Sequence, residues 1–299
     1  MKKELCSIAK KGIRKIILSC GLVGRRIICI LDYYRYYRKI PNLKNPTTIG
    51  EKIQWIKMYY YNPLYVKCAD KVLVKDYVRE KLGGGADNIF PRTYRIYENP
   101  EEIHLSELPV KFVLKPNHST NKVLICTDKS QLDERKVIRT AKQWGQENFY
   151  YIHGEWQYKE IEPKIICEEL LEEDIIDYRI FCFDGTPKFV RATKHSKEAK
   201  SGYTANFYDI DWKELGCVLK GDIKGDFNCP VKWKEMLRIS EKLSEDFFFV
   251  RVDLYETGGK VYFAELTFTS HNGMMDFIPD KYNKIFGDMI NIPNEGGKE

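Results

Sequence analysis

Long apolar runs are missing from this sequence of 299 residues. In residues 1–40, charged side chains interrupt the apolar stretches every few positions, so no span approaches the roughly 20 residues of a transmembrane helix. Arg25 and Arg26 stand where the cleavage region of a signal peptide would lie, which argues against a cleaved leader. These absences predict a cytoplasmic protein.

Metal-binding and redox motifs are also missing. The nine cysteines include no C-x-x-C pair, and the five histidines show no zinc-site spacing. Cys167 and Cys182 fall in apolar, strand-like runs, which is typical of reduced thiols in a hydrophobic core. The sequence has no recognisable Ser-His-Asp or Cys-His motif, so it does not indicate covalent nucleophilic catalysis.

The charge excess is small. A net charge of +6 allows an anionic substrate or a membrane surface as a partner without requiring nucleic acid. Because no RNA- or DNA-binding signature is present, we expect no nucleic-acid partner. Charged residues at 31% and aromatic residues at 13% are typical of a folded chain.

Residues 1–40 form a basic amphipathic segment. Lysines and arginines are interspersed with apolar residues such as Ile13, Ile16 and Leu18. One interpretation is an amphipathic helix packed on the rest of the protein. The other is a basic helix that lies peripherally on the inner face of the membrane. The sequence favours neither interpretation.

The segment with the most functional information is a predicted β-hairpin. Residues 248–255 and 261–267 alternate apolar with charged side chains and are joined by a glycine pair. Asp253 and Glu265 supply one carboxylate from each strand. Because Mg²⁺ prefers hard oxygen ligands and takes one or two carboxylates, such a pair on one face would form a cation site.

Whether these two carboxylates share a face depends on the turn. A two-residue turn at the glycine pair would place Asp253 opposite Ala264 and send Glu265 to the other face. A three-residue turn at 257–259 would pair Arg251 with Glu265 and keep Asp253 on their side. We expect the three-residue turn.

Other segments predict a mixture of helices and strands. Thr48 and Glu51 form a capping box that begins one helix, and Asp70 is expected to cap a second. Further strands are expected at residues 110–116, 122–126, 165–171, 178–183 and 188–191, and further helices at residues 133–144 and after Pro230. This order of elements is typical of an α+β or mixed α/β enzyme.

Several motifs, in order, resemble the ATP-grasp superfamily. They are Asp70-Lys71, Phe112-Val113-Leu114-Lys115-Pro116, Cys167-Glu168-Glu169-Leu170-Leu171, Arg251-Val252-Asp253 and Glu265-Leu266-Thr267. Further motifs resemble its TupA-like branch, which is associated with teichuronopeptide and capsular polysaccharide synthesis: Asn45-Pro46-Thr47, Glu51-Lys52-Ile53-Gln54-Trp55, Asp177-Tyr178-Arg179 and Phe183-Asp184-Gly185. The resemblance implies two α+β subdomains that clamp ATP, preceded by a helical N-terminal region.

The resemblance also implies how the phosphates of ATP are held. Lys71 and Lys115 would face them, since two ammonium groups neutralise phosphate oxygens without restricting geometry. Lys115 would also contribute to catalysis. Ser119 lies in a loop, residues 117–121, that would cover the phosphates, although this loop lacks the glycine usual in the superfamily. Without the resemblance, Lys71 would be read as a solvated helix lysine.

The adenine and ribose contacts are expected at the hinge between the subdomains. Glu168 would accept a hydrogen bond from the adenine amino group, and the backbone around Glu169 and Leu171 would pair with the ring edge. Asp177 would contact the ribose. The alternative is that residues 168–177, which are rich in carboxylates, form a solvated acidic loop.

Asp253 and Glu265 become the predicted Mg²⁺ ligands of this ATP site, with Mn²⁺ as an alternative ion. Thr267 stands where many relatives carry asparagine as a further ligand, and its neutral hydroxyl is a weaker one. Arg251 would act catalytically by stabilising the transferring phosphoryl group or an acyl-phosphate.

A basic segment follows the predicted strand at residues 188–191. Arg191, Lys194 and His195 are candidates to hold an anionic acceptor, such as a uronic acid. A solvated basic loop is the alternative reading.

The resemblance divides the chain into residues 1–40, a lead-in region at 41–109, a small ATP-grasp subdomain at 110–170 and a C-terminal subdomain with the metal site at 171–299.

The implied activity is ATP-dependent carboxylate–amine ligation through an acyl-phosphate. The substrates would be ATP, an anionic sugar or polysaccharide precursor, and an amine. Two alternatives are a glycosyltransferase-like enzyme, for which Asp209-Ile210-Asp211 is the one Asp-x-Asp match, and a non-catalytic, membrane-associated nucleotide-binding protein.

Overall fold

The computed structural model describes residues 2–120, 122–172 and 175–292, and for residues 2–10 the description covers the helical backbone alone. Residue 121 of the predicted phosphate loop therefore lies outside the described residues. The same holds for residues 293–299, the end of the last predicted subdomain.

Helices precede the first strand and cover the sheets. In chain order they are α1 (Lys2–Ser19), α2 (Gly21–Tyr37), α3 (Ile49–Tyr59), α4 (Pro63–Ala69), α5 (Val74–Leu82), α6 (Glu134–Gly145), α7 (Tyr150–His153), α8 (Trp233–Ser244) and α9 (Lys281–Asp288). The capping box of α3 is confirmed, because the Thr48 hydroxyl accepts from the Glu51 N–H and the Glu51 carboxylate accepts from the Thr48 N–H, both at 3.2 Å.

The predicted helix start at Asp70 is wrong, because α5 begins at Val74. Asp70 instead closes a turn: its Oδ1 accepts from the N–H groups of Val72 at 2.7 Å and Leu73 at 3.3 Å. Its Oδ2 accepts from Asn117 Nδ2 at 3.0 Å, which ties this turn to the predicted phosphate loop.

The strands are β1 (Thr93–Tyr97), β2 (Phe112–Pro116), β3 (Leu124–Cys126), β4 (Ile165–Glu168), β5 (Asp177–Phe183), β6 (Thr186–His195), β7 (Tyr203–Asp209), β8 (Val218–Leu219), β9 (Ile223–Lys224), β10 (Phe249–Thr257), β11 (Lys260–Thr267) and β12 (Phe277–Ile278). In the described chain they form a first sheet ordered β1-β4-β2-β3, a second sheet ordered β11-β10-β5-β6-β7-β9, and the pair β12-β8. The predicted α+β fold class is confirmed.

The first sheet packs on α6. Phe112 and Leu114 of β2 are fully buried, and they share a core with Val137 and Ala141 of the helix. The predicted pairing of the strand at 110–116 with the one at 122–126 is confirmed, because β2 and β3 are antiparallel neighbours.

The second sheet has two different faces. One is apolar and packs on α8. There the Cys182 thiol donates to the Ser240 carbonyl of that helix, at 3.9 Å. The other face begins with stacked aromatic rings, including Phe189 on Phe286 of α9 at 4.1 Å between centroids. Farther along the same strands this face carries charged side chains, because residues two apart in a strand point to the same side.

The turn of the β10–β11 hairpin contradicts the sequence-based expectation. Gly258 and Gly259 have φ of 57° and 71°, and Thr257 pairs with Lys260, so the turn has two residues rather than three. Two consecutive positive φ angles suit a type I′ turn, which a Gly-Gly pair accommodates without strain.

A β-bulge then restores the shared face. The register shifts between Asp253 and Leu254, so that Asp253 pairs with Glu265 while Leu254 pairs with Phe263. The extra residue, Ala264, absorbs the offset that the short turn introduces. Asp253 and Glu265 are therefore direct cross-strand neighbours, although the turn predicted to bring this about is wrong.

The N-terminal segment is a helical hairpin of α1 and α2. Leu18 and Ile28 are buried against the body of the protein, and the Tyr150 hydroxyl donates to the Leu18 carbonyl at 2.9 Å. The outer side of the hairpin exposes apolar residues, including Ile16 at 71% and Val23 at 65% exposure. Among the described helices, none is long and apolar enough to cross a membrane.

Candidate functional site

The β10–β11 hairpin gathers a buried group of charges. Arg251 donates to Asp253 through Nε at 2.7 Å and through Nη2 at 2.5 Å. The same Nη2 lies 3.3 Å from Glu265 Oε1 and 3.1 Å from Thr267 Oγ1. The Thr267 hydroxyl in turn donates to Glu265 Oε1 at 2.9 Å. The predicted metal ligands and the predicted catalytic arginine therefore contact one another.

The two carboxylates differ in their electrostatic environment. Burial raises the pKa of Asp253 to about 7, and Arg251 offsets only part of this effect. Burial also acts on Glu265, but the positive charges of Lys71 and Arg251 outweigh it and lower the pKa of that carboxyl. Glu265 is therefore the carboxylate of the pair that stays ionised more readily.

The donor set suits Mg²⁺. Asp253 and Glu265 offer carboxylate oxygens, and the hydroxyl of Thr267 lies beside them. In the described part of the chain no three His, Cys, Asp or Glu side chains could enclose a metal by themselves. Two carboxylates are nevertheless what Mg²⁺ uses when nucleotide phosphates and water complete its shell. A metal bound here would replace part of the contact between Arg251 and the two carboxylates.

Lysines converge on Glu168 from two elements. The side chain of Lys115 in β2 lies 2.5 Å from Glu168 Oε2, and that of Lys75 in α5 lies 2.9 Å from Oε1. Glu168 is 3% exposed, and although burial opposes ionisation, the two lysines lower the pKa of its carboxyl. Lys75 was not predicted from the sequence, although it follows Lys71 by four residues.

Lys71 bridges the two sheets. Its Nζ donates to the Ser119 carbonyl at 2.7 Å, in the loop that follows β2, and lies 3.8 Å from Glu265 Oε2 in β11. Lys115 and Glu168 are among the charged groups that act on it. Lys71 therefore lies between the loop that follows β2 and the predicted metal ligand Glu265. The hydroxyl of Ser119 itself is buried and has no hydrogen-bond partner.

The hinge residues are placed as follows. Glu168 ends β4, and the N–H of Glu169 donates to the Arg92 carbonyl at 2.8 Å, so this N–H group is already engaged. Leu171 is half-buried beyond the strand. Asp177 begins β5 and accepts from Arg179 Nε at 2.7 Å, while its Oδ1 is buried without a partner.

The basic candidates for an acceptor site do not form one group. Arg191 is 1% exposed, lies on the charged face of the second sheet and donates to Asp222 at 2.8 Å. Strand alternation places Lys194 on the opposite face. His195 is exposed and stacks on Tyr203 with ring centroids 5.0 Å apart. Arg191 and His195 are four residues apart and share a face of β6, where both contact the ring of Tyr203, whereas Lys194 lies on the other face.

A left-handed turn supports Arg251. Ser270 accepts from Arg251 Nη1 at 2.7 Å and is followed by His271, Asn272 and Gly273, with φ of 49°, 54° and 73°. Such backbone is rare outside glycine and typically occurs at functional sites. Gly273 packs tightly on α3, because a Cβ there would lie 3.0 Å from the Gly50 carbonyl oxygen.

The Asp-x-Asp match at residues 209–211 is part of a turn. Asp209 Oδ1 accepts from the N–H groups of Asp211 at 2.9 Å and Lys213 at 2.8 Å. These bonds hold the reversal at Trp212, whose φ is 62°. Asp209 therefore has a local structural role.

Comparison with known families identifies one match. The family model described as TupA-like ATPgrasp matches residues 51–291, which is most of the chain. No curated protein matches the sequence.

Solved structures with similar folds include three ligases or synthetases. A D-alanine–D-alanine ligase from Bacillus anthracis is 18% identical, with 87% of this chain and 82% of that chain covered and a TM-score of 0.46. The ATP-grasp ligase PsnB, solved with Mg, ADP and a phosphomimetic variant of its minimal precursor, is 12% identical, with 70% of this chain covered and a TM-score of 0.41. The chain spans about half the length of PsnB, 53%. The ADP complex of PurK, an N5-carboxyaminoimidazole ribonucleotide synthetase, is 13% identical over 73% of this chain and 50% of that chain, with a TM-score of 0.42.

Proposed function

We propose that this chain, which belongs to the TupA-like ATP-grasp family, is an ATP-dependent carboxylate–amine ligase. It converts ATP to ADP and phosphate while it joins an amino acid or another amine to a uronic-acid-type sugar carboxylate. The product enters a cell-surface polysaccharide of the capsular or teichuronopeptide class.

The observation that carries this proposal is the position of Lys71. Its ammonium group contacts the loop that follows β2 through the Ser119 carbonyl and also lies near Glu265 of the second sheet. Lysines on one side of a cleft and paired carboxylates on the other are the groups that a nucleotide triphosphate with a divalent cation requires. Lys115, beside Glu168, adds a second cation to the lysine side.

Each group has a role in the proposed reaction. Lys71 and Lys115 hold the phosphates, with the Ser119 loop covering them. Glu168 fixes Lys115 and lies at the adenine edge together with the backbone near Glu169 and Leu171. Asp177 contacts the ribose.

Asp253, Glu265 and Thr267 would hold Mg²⁺ or Mn²⁺. The metal, when bound, supplies charge neutralisation for the phosphate oxygens.

The chemistry needs no side-chain nucleophile. An oxygen of the substrate carboxylate attacks the γ-phosphorus, and the bond from that phosphorus to the β–γ bridging oxygen breaks, which releases ADP. The amine nitrogen then attacks the carbonyl carbon of the acyl-phosphate, phosphate leaves with the bonding electrons, and the nitrogen loses a proton. Arg251 stabilises the negative charge that builds up on the phosphoryl and acyl oxygens.

Nucleotide binding tests the proposal directly. Isothermal titration of the intact chain with ATP should give binding that is stronger by about tenfold or more with Mg²⁺ than with EDTA, equivalent to about 1.4 kcal/mol. GTP under the same conditions serves as the specificity control. If ATP does not bind in the presence of Mg²⁺, the ligase proposal is wrong.

We further propose that the N-terminal hairpin contacts the inner face of an anionic membrane. The support is its outer side, where Ile16 and Val23 are exposed beside basic residues such as Arg26.

In flotation assays with phosphatidylglycerol vesicles, the chain should bind, and Ile16→Ser with Val23→Ser should reduce the bound fraction several-fold. Exposed Val231→Ser, far along the chain, is the matched control. Equal flotation of all three proteins would contradict membrane contact.

A further inference from the structure

One row of charged residues crosses the second sheet and extends beyond the predicted metal ligands. Glu265 pairs with Asp253, Asp253 with Arg179, and Arg179 with Arg191. These four residues belong to adjacent strands, β11, β10, β5 and β6, and direct cross-strand partners share a face. The row therefore runs from two carboxylates to two guanidinium groups.

The two arginines are held close together in a buried place. Both guanidinium groups lie over the ring of Tyr203, at 4.9 Å for Arg179 and 5.3 Å for Arg191. Like charges directly opposite one another destabilise a sheet, and a buried charge is costly unless it is fully paired. Asp177 and Asp222 each neutralise one arginine.

The pairing of Arg191 is incomplete. Its Nη2 donates to Asp222, but its Nε and Nη1 are buried and have no hydrogen-bond partner. Native proteins rarely leave buried donors unpaired, and such groups mark places where a further partner binds. Burial and the repulsion of Arg179 and Arg251 lower the pKa of Arg191, and the contact with Asp222 offsets only part of this effect. Two buried donors of Arg191 therefore lack an acceptor oxygen, although Asp222 balances its charge.

The side chains of this row differ in how far they are exposed. The side chain of Arg179 is 12% exposed and that of Glu265 28% exposed, whereas the Arg191 side chain behind them is 1% exposed. The exposed His271, in the left-handed turn, is close enough for Arg179 and Arg191 to act on it electrostatically. Arg179 is therefore the more accessible of the two arginines.

We infer that Arg179 and Arg191 form an oxyanion site for a second acidic group of the acceptor substrate. This inference rests on the proposed ligase function. The reacting carboxylate must lie at the metal edge, beside Arg251, whereas Arg179 is one strand and Arg191 two strands farther away. At about 4.8 Å per strand, the second acidic group lies about 5–10 Å from the reacting one.

The acceptor is therefore a molecule with two acidic groups, either a dicarboxylate or a carboxylated sugar phosphate. Arg179 makes the direct contact, because a guanidinium fork matches carboxylate and phosphate oxygens equally well. Arg191 is a positioning residue that supplies the second positive charge. Lys194, which was a candidate from the sequence, is on the opposite face of the sheet and takes no part.

Titration with three related sugars tests this inference on the intact chain, with and without Mg²⁺ and ADP. Glucuronic acid 1-phosphate carries both acidic groups, whereas glucuronic acid and glucose 1-phosphate carry one each. The doubly acidic sugar should bind at least about tenfold more tightly than either singly acidic one, as expected for one added charge-assisted contact. Glutarate, tested in parallel, shows whether a second carboxylate replaces the phosphate, and Arg179-dependent binding of either diacid supports the inference.

Variants assign the effect to the arginines. Arg179→Gln should remove the preference for the doubly acidic sugar, and Arg179→Lys should retain part of it, each measured as the ratio of affinities within one variant. Exposed Arg139→Gln on α6 is the matched control. Arg191→Gln combined with Asp222→Asn removes the second guanidinium without leaving Asp222 charged, and should weaken the same preference.

The inference is overturned if Arg179→Gln retains the preference, if singly and doubly acidic probes bind equally, or if none binds at millimolar concentration. Its failure is separable from failure of the ligase proposal. Loss of ADP binding with an intact, Arg179-dependent preference for two acidic groups would contradict the ligase proposal alone. Normal ADP binding without that preference would contradict the oxyanion site alone.

Discussion

Replacing Asp253 by asparagine and Glu265 by glutamine in one chain abolishes the Mg²⁺ dependence of ATP binding. The two carboxylates are cross-strand partners on the cleft face, and both contact the same guanidinium nitrogen of Arg251. The neutral amides keep the size of each side chain but lose the charge that a divalent cation requires. In isothermal titration, the tenfold or greater gain from Mg²⁺ seen with the wild-type chain should fall to less than about twofold.

The matched control for this double variant is Asp211→Asn with Glu235→Gln, two carboxylates of the same domain that lie outside the cleft. It should bind ATP with the wild-type dependence on Mg²⁺. Thermal unfolding of both proteins separates a lost metal site from a lost fold. A double variant that still gains tenfold affinity from Mg²⁺ would show that the metal binds elsewhere.

Replacing Lys57 by methionine destabilises the protein by about 3 kcal/mol, which lowers the melting temperature by roughly 5 °C for a chain of this size. Lys57 in α3 is fully buried; its ammonium group donates to Gln54 Oε1 at 3.2 Å and also to Asn272 Oδ1. Methionine fills the space but leaves both acceptors unpaired, and it removes the positive charge that acts on buried Glu155, which keeps only its hydrogen bond from Thr269.

The same substitution should weaken Mg²⁺-dependent ATP binding, although Lys57 does not reach the cleft. Asn272 belongs to the left-handed turn whose first residue, Ser270, accepts a hydrogen bond from Arg251. Thermal unfolding and titration measure the two effects. Lys67→Met, at a half-exposed lysine of α4 paired with exposed Glu80, is the control and should change neither.

A second variant tests the physical cause. Adding Glu155→Gln to Lys57→Met removes the uncompensated negative charge, so it should recover part of the lost stability. Unchanged melting of the single variant, or no recovery in the double one, would contradict this account of the network.

Local sequence signals determined much of the fold. The capping box at Thr48, the strand pairing of β2 with β3, and the helix at α6 follow from short-range patterns, because capping and alternation act over a few residues. The family was also readable from the order of its motifs. Residues such as Lys75 were missed because nothing local distinguishes a lysine that meets Glu168 from a solvated one.

The hairpin illustrates where local signals fail. The Gly258-Gly259 pair permits both two- and three-residue turns, and the sequence carries no mark of the bulge at Ala264. The bulge is selected by the neighbours of β10, since pairing with β5 on its other edge fixes which side chains face the cleft. Asp253 and Glu265 share a face as expected, but a two-residue turn and a bulge bring this about instead of the predicted three-residue turn.

What the sequence determined by itself was part of the set of elements, without strands such as β1 and β7, together with the family and the residue types available for an ATP site. These residue types are two carboxylates on a hairpin, lysines on preceding segments and a glutamate at a hinge. Only the tertiary structure decided which of them meet. Arg191 is separated from Lys194 by the pleat and joined to Arg179 by pairing of strands far apart in sequence. Such contacts depend on register between distant segments, which no local pattern encodes.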